Sequence, residues 1–174
     1  MSSIIYDMVF DGQGEQETEG EYLWITRASA SSMQFTTEIT DDSVYLHKEE
    51  IAGPKAEYIT KVMACEGGKL GPGKKFWEWG TVSFGNNNVL KFDTVGTGEF
   101  QPIGDQGLMQ GGIVWEVDGG SGIFERAKGI ITSNFTLYKD NRVTDYHHGV
   151  IFVPWGKNRI ATFKSLSHLV KGFF

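Results

Sequence analysis

The sequence predicts an all-β chain in which about eight antiparallel strands close into a single barrel spanning residues 1–174, with at most two short helices. Three observations lead there. Apolar residues alternate with polar ones along most of the chain, the period of a half-buried strand. Glycine reaches 23 of 174 residues, about twice the usual ~7%, as many turns between short strands require. Twelve Phe, five Trp and six Tyr supply bulky apolar groups for a barrel interior or for a ligand cavity within it. Closure is preferred to an open sandwich because it removes unpaired strand edges, and glycine suits the bends that closure needs.

Taken in order, Ile4, Tyr6, Met8 and Phe10 alternate with smaller or polar neighbours, then a polar turn from Asp11 to Gly20 leads to a second run, Glu21 to Arg27. Ser32–Thr40 and Ser43–Glu49 read as strands joined across Asp41-Asp42. Behind Pro54, Ile59, Val62 and Met63 stand at helical spacing, so Lys55–Cys65 reads as a short helix. Gly67–Gly73 is a loop. Phe76–Phe84 and Val89–Val95 form a hairpin about Gly85-Asn86-Asn87-Asn88, residues that tolerate the positive φ of tight turns. Gly112–Val117, Ile123–Tyr138 and Arg142–Val153 complete the strands. Gly129 is expected to bend the long second one, and residues 159–174 read as a last strand or a short packing helix.

Charge and cysteine content narrow the partners. A net charge of −6 and a pI near 5.2 argue against nucleic acid, since no basic stripe stands ready to neutralise phosphates. Lys69, Lys74 and Lys75 sit in the glycine-rich loop and read as a solvated turn. Cys65 is the only cysteine, so no disulfide within the chain is expected. No window approaches the roughly 18 apolar residues of a membrane helix, and Met1–Asp7 lacks a signal-peptide pattern. The expectation is a cytoplasmic protein without a membrane partner.

An imperfect repeat stands out. Gly96-Thr97-Gly98-Glu99-Phe100 and Gly120-Ser121-Gly122-Ile123-Phe124 each place a Gly-hydroxyl-Gly turn before an aromatic, which reads as a strand connection with the Phe turning inward. The longer stretch Val117-Asp118-Gly119-Gly120-Ser121-Gly122-Ile123-Phe124-Glu125-Arg126-Ala127-Lys128-Gly129 resembles the Gly-Gly-Ser/Thr-Gly-x-Phe…Gly signature of the allene oxide cyclase and dirigent proteins. The resemblance covers residues 111–154. It implies an eight-stranded, calycin-like barrel with an apolar cavity, a homo-oligomer (a trimer or a dimer), and cyclisation or coupling of a small hydrophobic molecule. The first strand offers only Asp7 where the plant cyclases carry a cavity glutamate, so that residue is not transferred.

Candidate chemistry follows from alternation. Strands 112–117, 130–138 and 142–153 should lie side by side, placing Glu116 with Tyr146 and His148, or with Asp145 and His147, on one inner face. Glu116, flanked by Trp115, would be desolvated and protonated, a proton donor positioned by His148 and Tyr146. Glu78, between Trp77 and Trp79, is a second glutamate that would behave so if it faced inward. Trp77, Trp79, Trp115, Phe135 and Phe152 are the expected apolar lining. His147 and His148 point to opposite faces and cannot share one ion, so no metal is expected, and no phosphate or flavin motif calls for a cofactor. Cys65 and Ser121 lack nucleophile motifs. Two functions remain, a cofactor-independent isomerase or cyclase resembling allene oxide cyclase, and a non-catalytic, lipocalin-like carrier of a small hydrophobic molecule. A purely structural barrel fits the aromatic content less well.

Overall fold

The computed structural model describes residues 1–16, 23–66, 70–104 and 107–154. Nine strands run β1 (Ser2–Gln16), β2 (Leu23–Ile39), β3 (Val44–Ala64), β4 (Lys75–Ser83), β5 (Val89–Thr94), β6 (Gly98–Ile103), β7 (Leu108–Ser121), β8 (Lys128–Leu137) and β9 (Arg142–Val153). Eight of them close an antiparallel ring in the order β1-β2-β3-β4-β5-β7-β8-β9, and β9 returns to β1 from Ser2↔Val153 to Gln13↔Arg142. Short β6 pairs with β4 and β7 at one end. The all-β barrel expected from the sequence is present, with a one-turn 3-10 segment at Gly122–Phe124 and no α-helix among the described residues.

The expected helix at Lys55–Cys65 is instead the second half of β3. It pairs with β2 on one side and β4 on the other, for instance Tyr58 with both Ala28 and Val82. Ala56, Tyr58, Thr60 and Ala64 are buried, whereas Ile59 and Lys61 are exposed. The small and polar inner residues beside a large outer one disguise a period of two, and sheet pairing on both edges overrides the local pattern. Pro54 falls among the surplus residues 52–55 opposite Ser31, where the β2–β3 register shifts and no ladder donor is lost.

Other boundaries move as well. β1 continues through the expected turn as far as Gln16, and residues 17–22 lie outside the described residues. β2 and β3 extend beyond their barrel neighbours as a two-stranded arm paired from Ser32↔Ile51 to Ile39↔Val44, turning at Asp41-Asp42. Gly129 is regularly paired in β8, and the break falls earlier, at Gly122–Ala127. The turn Gly85–Asn88 takes positive φ at Gly85, Asn86 and Asn87 as its sequence requires. In the repeat, Phe100 and Phe124 are buried, and Gly96, Gly120 and Gly122 take positive φ. The tail, residues 159–174, lies outside the described residues.

The core is aromatic. Phe10, Tyr58, Phe76 and Trp115 are fully buried, joined by Phe92, Phe100 and Phe124. Gly80 lets β4 lie against this mass, because a Cβ there would stand 2.2 Å from the Ile59 carbonyl and 2.9 Å from the Phe92 ring. Gly80→Ala should therefore cost about 1–3 kcal/mol by overpacking, whereas Gly53→Ala, which meets nothing within 4 Å, should change stability by less than about 0.5 kcal/mol. Urea unfolding midpoints of the two variants provide the comparison.

Candidate active site

Alternation along β3, β4, β8 and β9 sends Tyr58, Glu78, Ser133, Asp145 and His147 into the barrel, and all five are buried. Tyr6 on β1 joins them. Tyr58 Oη donates to Glu78 Oε1 at 2.7 Å and lies 3.5 Å from Asp145 Oδ2. Ser133 Oγ donates to Asp145 Oδ1 at 2.7 Å, and His147 Nε2 stands 3.0 Å from Asp145 Oδ2. Tyr6 Oη contacts His147 Nδ1 at 3.0 Å. A continuous polar path thus runs from Glu78 to Tyr6 through the apolar centre.

Its geometry is held from outside and inside. The Glu78 main chain is clasped by Thr94, whose Oγ1 accepts from Glu78 N–H at 2.6 Å and donates to the Glu78 carbonyl at 2.5 Å. Aromatic rings pack around the polar groups: His147 meets Trp115 edge-on with centroids 4.7 Å apart, Phe10 at 4.7 Å and Tyr58 at 5.0 Å. Phe92 stacks on Trp115 at 4.1 Å. Two buried donors end in this frame without an aligned partner, Trp115 Nε1 and His147 Nε2. The second has Asp145 at ion-pair distance but off the N–H direction, so that contact is electrostatic. The tautomer suited to a hydroxyl donated by Tyr6 carries its proton on Nε2.

Burial sets the protonation of the glutamate. Desolvation, followed by the negative charge of Asp145, raises Glu78 from an ordinary value near 4.5 to about 8, although Tyr58, Thr60 and Trp115 favour its charged form. Tyr58 is raised well above 10 by burial and then by the Glu78 and Asp145 carboxylates. Tyr6 is raised by burial and by Asp145. At neutral pH the barrel holds a protonated carboxyl hydrogen-bonded to a neutral phenol, beside two donors without an aligned hydrogen bond.

The residues singled out from the sequence divide between the two faces. Trp115 lies inside, and Phe135 is half-buried at the end of the core. Glu116, Tyr146, His148, Trp77 and Phe152 face outward, which overturns the expectation that Glu116, Tyr146 and His148 share an inner face. The cause is register: Glu116 neighbours inward Trp115 and Val117, while Asp145 and His147, the other pair considered, take the inner positions of β9. Trp79 also faces outward, in an open depression of about 390 Å³ bounded by Ile59, Lys61, Lys91, Asp93 and Asp118. None of the buried acids lines that depression. Tyr6, Tyr58 and Ser133 are members that sequence reasoning did not place in the site, and Tyr58 was hidden by the helical reading of its segment.

Among the described residues, no three His, Cys, Asp or Glu side chains converge as a metal site, and no helix is long and apolar enough to cross a membrane.

The raised acidity constant carries a stability consequence. The folded chain holds the Glu78 proton more tightly than the unfolded chain, so stability should fall as pH rises from about 4.5 to about 8, by up to a few kcal/mol. Glu78→Gln, which keeps the shape and accepts from Tyr58, should remove most of that decline. Denaturant midpoints of both proteins at pH 5 and pH 8.5 measure the difference. Compared with known proteins, the chain matches no family model, no curated protein and no solved structure.

Proposed function

We propose that the barrel interior is the site of a cofactor-independent isomerisation or cyclisation of a small hydrophobic molecule bearing a carbonyl or epoxide oxygen. The observation that carries this reading is the fully enclosed Glu78, which burial pushes towards its protonated form, among two buried donors that lack an aligned hydrogen bond, Trp115 Nε1 and His147 Nε2. Buried donors left without partners are expensive, and an oxygen held among them would recover that cost. Preorganised donors aimed at an oxygen that gains charge are also the largest single source of catalysis in such reactions.

In this reading Glu78 lends its proton to the substrate oxygen as the adjacent bond opens or polarises. The Asp145 carboxylate takes a proton from the neighbouring carbon, while His147, oriented by Tyr6, keeps its Nε2 proton as a donor. The two transfers balance, so the product is an isomer and no co-reactant is consumed. Tyr58, whose hydroxyl lies between the two carboxyl groups, then relays the proton from Asp145 back to Glu78 and resets the acid. The surrounding aromatic rings exclude water and impose the folded conformation that ring closure needs.

Entry is assigned to the end carrying β6. There Phe76, Phe100 and Phe135 form a triangle with ring centroids 6.0–6.3 Å apart. Phe76 lies two residues before Glu78 on the same face of β4, and Phe135 is the cross-strand partner of Asp145. Rotation of the half-buried Phe135 would expose the acids without breaking the ladder.

The test compares two glutamates. Incubation with a panel of hydrophobic ketones and epoxides, followed by chromatography of isomers, should show turnover that Glu78→Gln lowers by about 10²- to 10⁴-fold with little change in affinity. Glu116→Gln, on the outer face, should match the parent protein. Binding without turnover in the parent would favour the carrier function, and equal rates for Glu78→Gln and the parent would remove the acid assignment.

A further inference from the structure

The depression around Trp79 lies on the outer face of β3, β4, β5 and β7, and the interior site does not explain it. Alternation on these strands builds it from two outward rows. Lys61 on β3 is paired with Trp79 on β4, and Trp79 with Asp93 on β5. In the next row Thr81 is paired with Lys91, and Asp118 on β7 completes the rim. Directly opposed side chains have their Cβ atoms about 4.5–5.5 Å apart, so Lys61 and Asp93 flank the indole at a separation of roughly 10 Å. The volume of about 390 Å³ falls within the ~300–1,000 Å³ of small-molecule sites.

Its lining selects one class of ligand. The half-buried indole supplies an apolar wall. The ammonium groups of Lys61 and Lys91 can only donate hydrogen bonds, the carboxylates of Asp93 and Asp118 can only accept them when ionised, and Thr81 does both. Both carboxylates are oriented: Asp93 Oδ1 accepts from Thr94 N–H at 2.8 Å, and Asp118 Oδ1 accepts from Lys128 Nζ at 3.0 Å. Glu116, opposite Asp93, adds a further acid, so Lys61, Lys91 and Lys128 are offset by Asp93, Asp118 and Glu116. An anionic ligand would meet those acids, a cationic one the lysines, and a plain hydrocarbon would desolvate all of them without compensation. An uncharged ring with C–H faces and a hydroxyl-bearing edge satisfies every group, because each hydroxyl both donates and accepts. Aromatic surface continues beyond the depression. Trp77 lies two residues before Trp79 on the same outward face of β4, about 6.8 Å along the strand, and is 39% exposed.

We propose that this depression binds a neutral oligosaccharide, with one sugar ring packed on Trp79 between Lys61 and Asp93 and a second reaching Trp77. The strands that carry these residues are paired on both edges, so the site is held in place before the ligand arrives and little ordering is lost on binding.

Calorimetric titration of the full chain with cellohexaose, xylohexaose, mannohexaose and chitohexaose tests it, with hexagalacturonate as the anionic comparison. At least one neutral hexaose should bind, and Trp79→Ala should weaken that binding about tenfold or more. Lys61→Met and Asp93→Ala, both at exposed positions, should each weaken it about threefold to tenfold, the loss expected for one hydrogen bond. These two variants decide the matter if Trp79→Ala melts below the parent protein. Trp77→Ala should weaken the hexaose about threefold, and an affinity equal to the parent's would remove the second ring from the proposal. Tyr146→Ala, on β9 at the far side of the ring of strands, should match the parent. The proposal is overturned if no neutral hexaose binds, if hexagalacturonate alone binds, or if binding is unchanged by Trp79→Ala, Lys61→Met and Asp93→Ala.

Discussion

The ladder between β1 and β9, from Ser2↔Val153 to Gln13↔Arg142, joins strands at opposite ends of the described chain and converts a meander into a ring. Every other feature depends on that closure. An open sheet would leave β1 and β9 with a row of unpaired backbone donors and acceptors, and its inner face would be wet. Once closed, the ring has one inside and one outside, and alternation assigns each side chain to one of them. The cost is that the joining contacts are far apart in sequence, so little of their free energy is gained until most of the chain is in place.

Closure also creates the medium in which the acids behave unusually. Glu78, Asp145 and His147 would be ordinary surface groups on an open sheet. Inside the ring, with Trp115, Phe10 and Phe92 around them, water is replaced by aromatic carbon and a charge on Glu78 becomes costly. The hydrogen bonds from Tyr58 and Ser133 compensate part of that cost without reaching the Trp115 and His147 nitrogens. The network is thus buried but incompletely satisfied, and it is this feature on which the proposed chemistry rests.

Inner and outer faces use their large residues differently. The inner face stacks rings to fill volume, and glycine appears where a strand must approach its neighbour, as at Gly80 against Ile59 and Phe92. The outer face mixes apolar and charged rows. Ile5, Val150 and Ile130 form one row, with Asp7, His148 and Thr132 in the next.

The alternating runs, the hairpin at Gly85–Asn88 and the glycine turns of the repeat were legible in the sequence because each is local, a matter of side-chain period or of residues that accept positive φ. They determined an antiparallel barrel and the alternation of Asp145, Tyr146, His147 and His148. What remained undetermined was phase. A strand of period two has two faces of similar content here: Glu116 matches Glu78 in residue type, His148 matches His147, and Trp77 matches Trp115. Local pattern also read β3 as a helix, because Ala56, Thr60 and Ala64 made its inner face look weak beside Ile59. Only pairing with neighbours on both sides, and closure through β1 and β9, decided which phase points inward. The physical reason is that burial is a property of the closed ring, so which carboxyl groups are enclosed depends on contacts such as Tyr58 to Glu78 and Ser133 to Asp145 that no single strand contains.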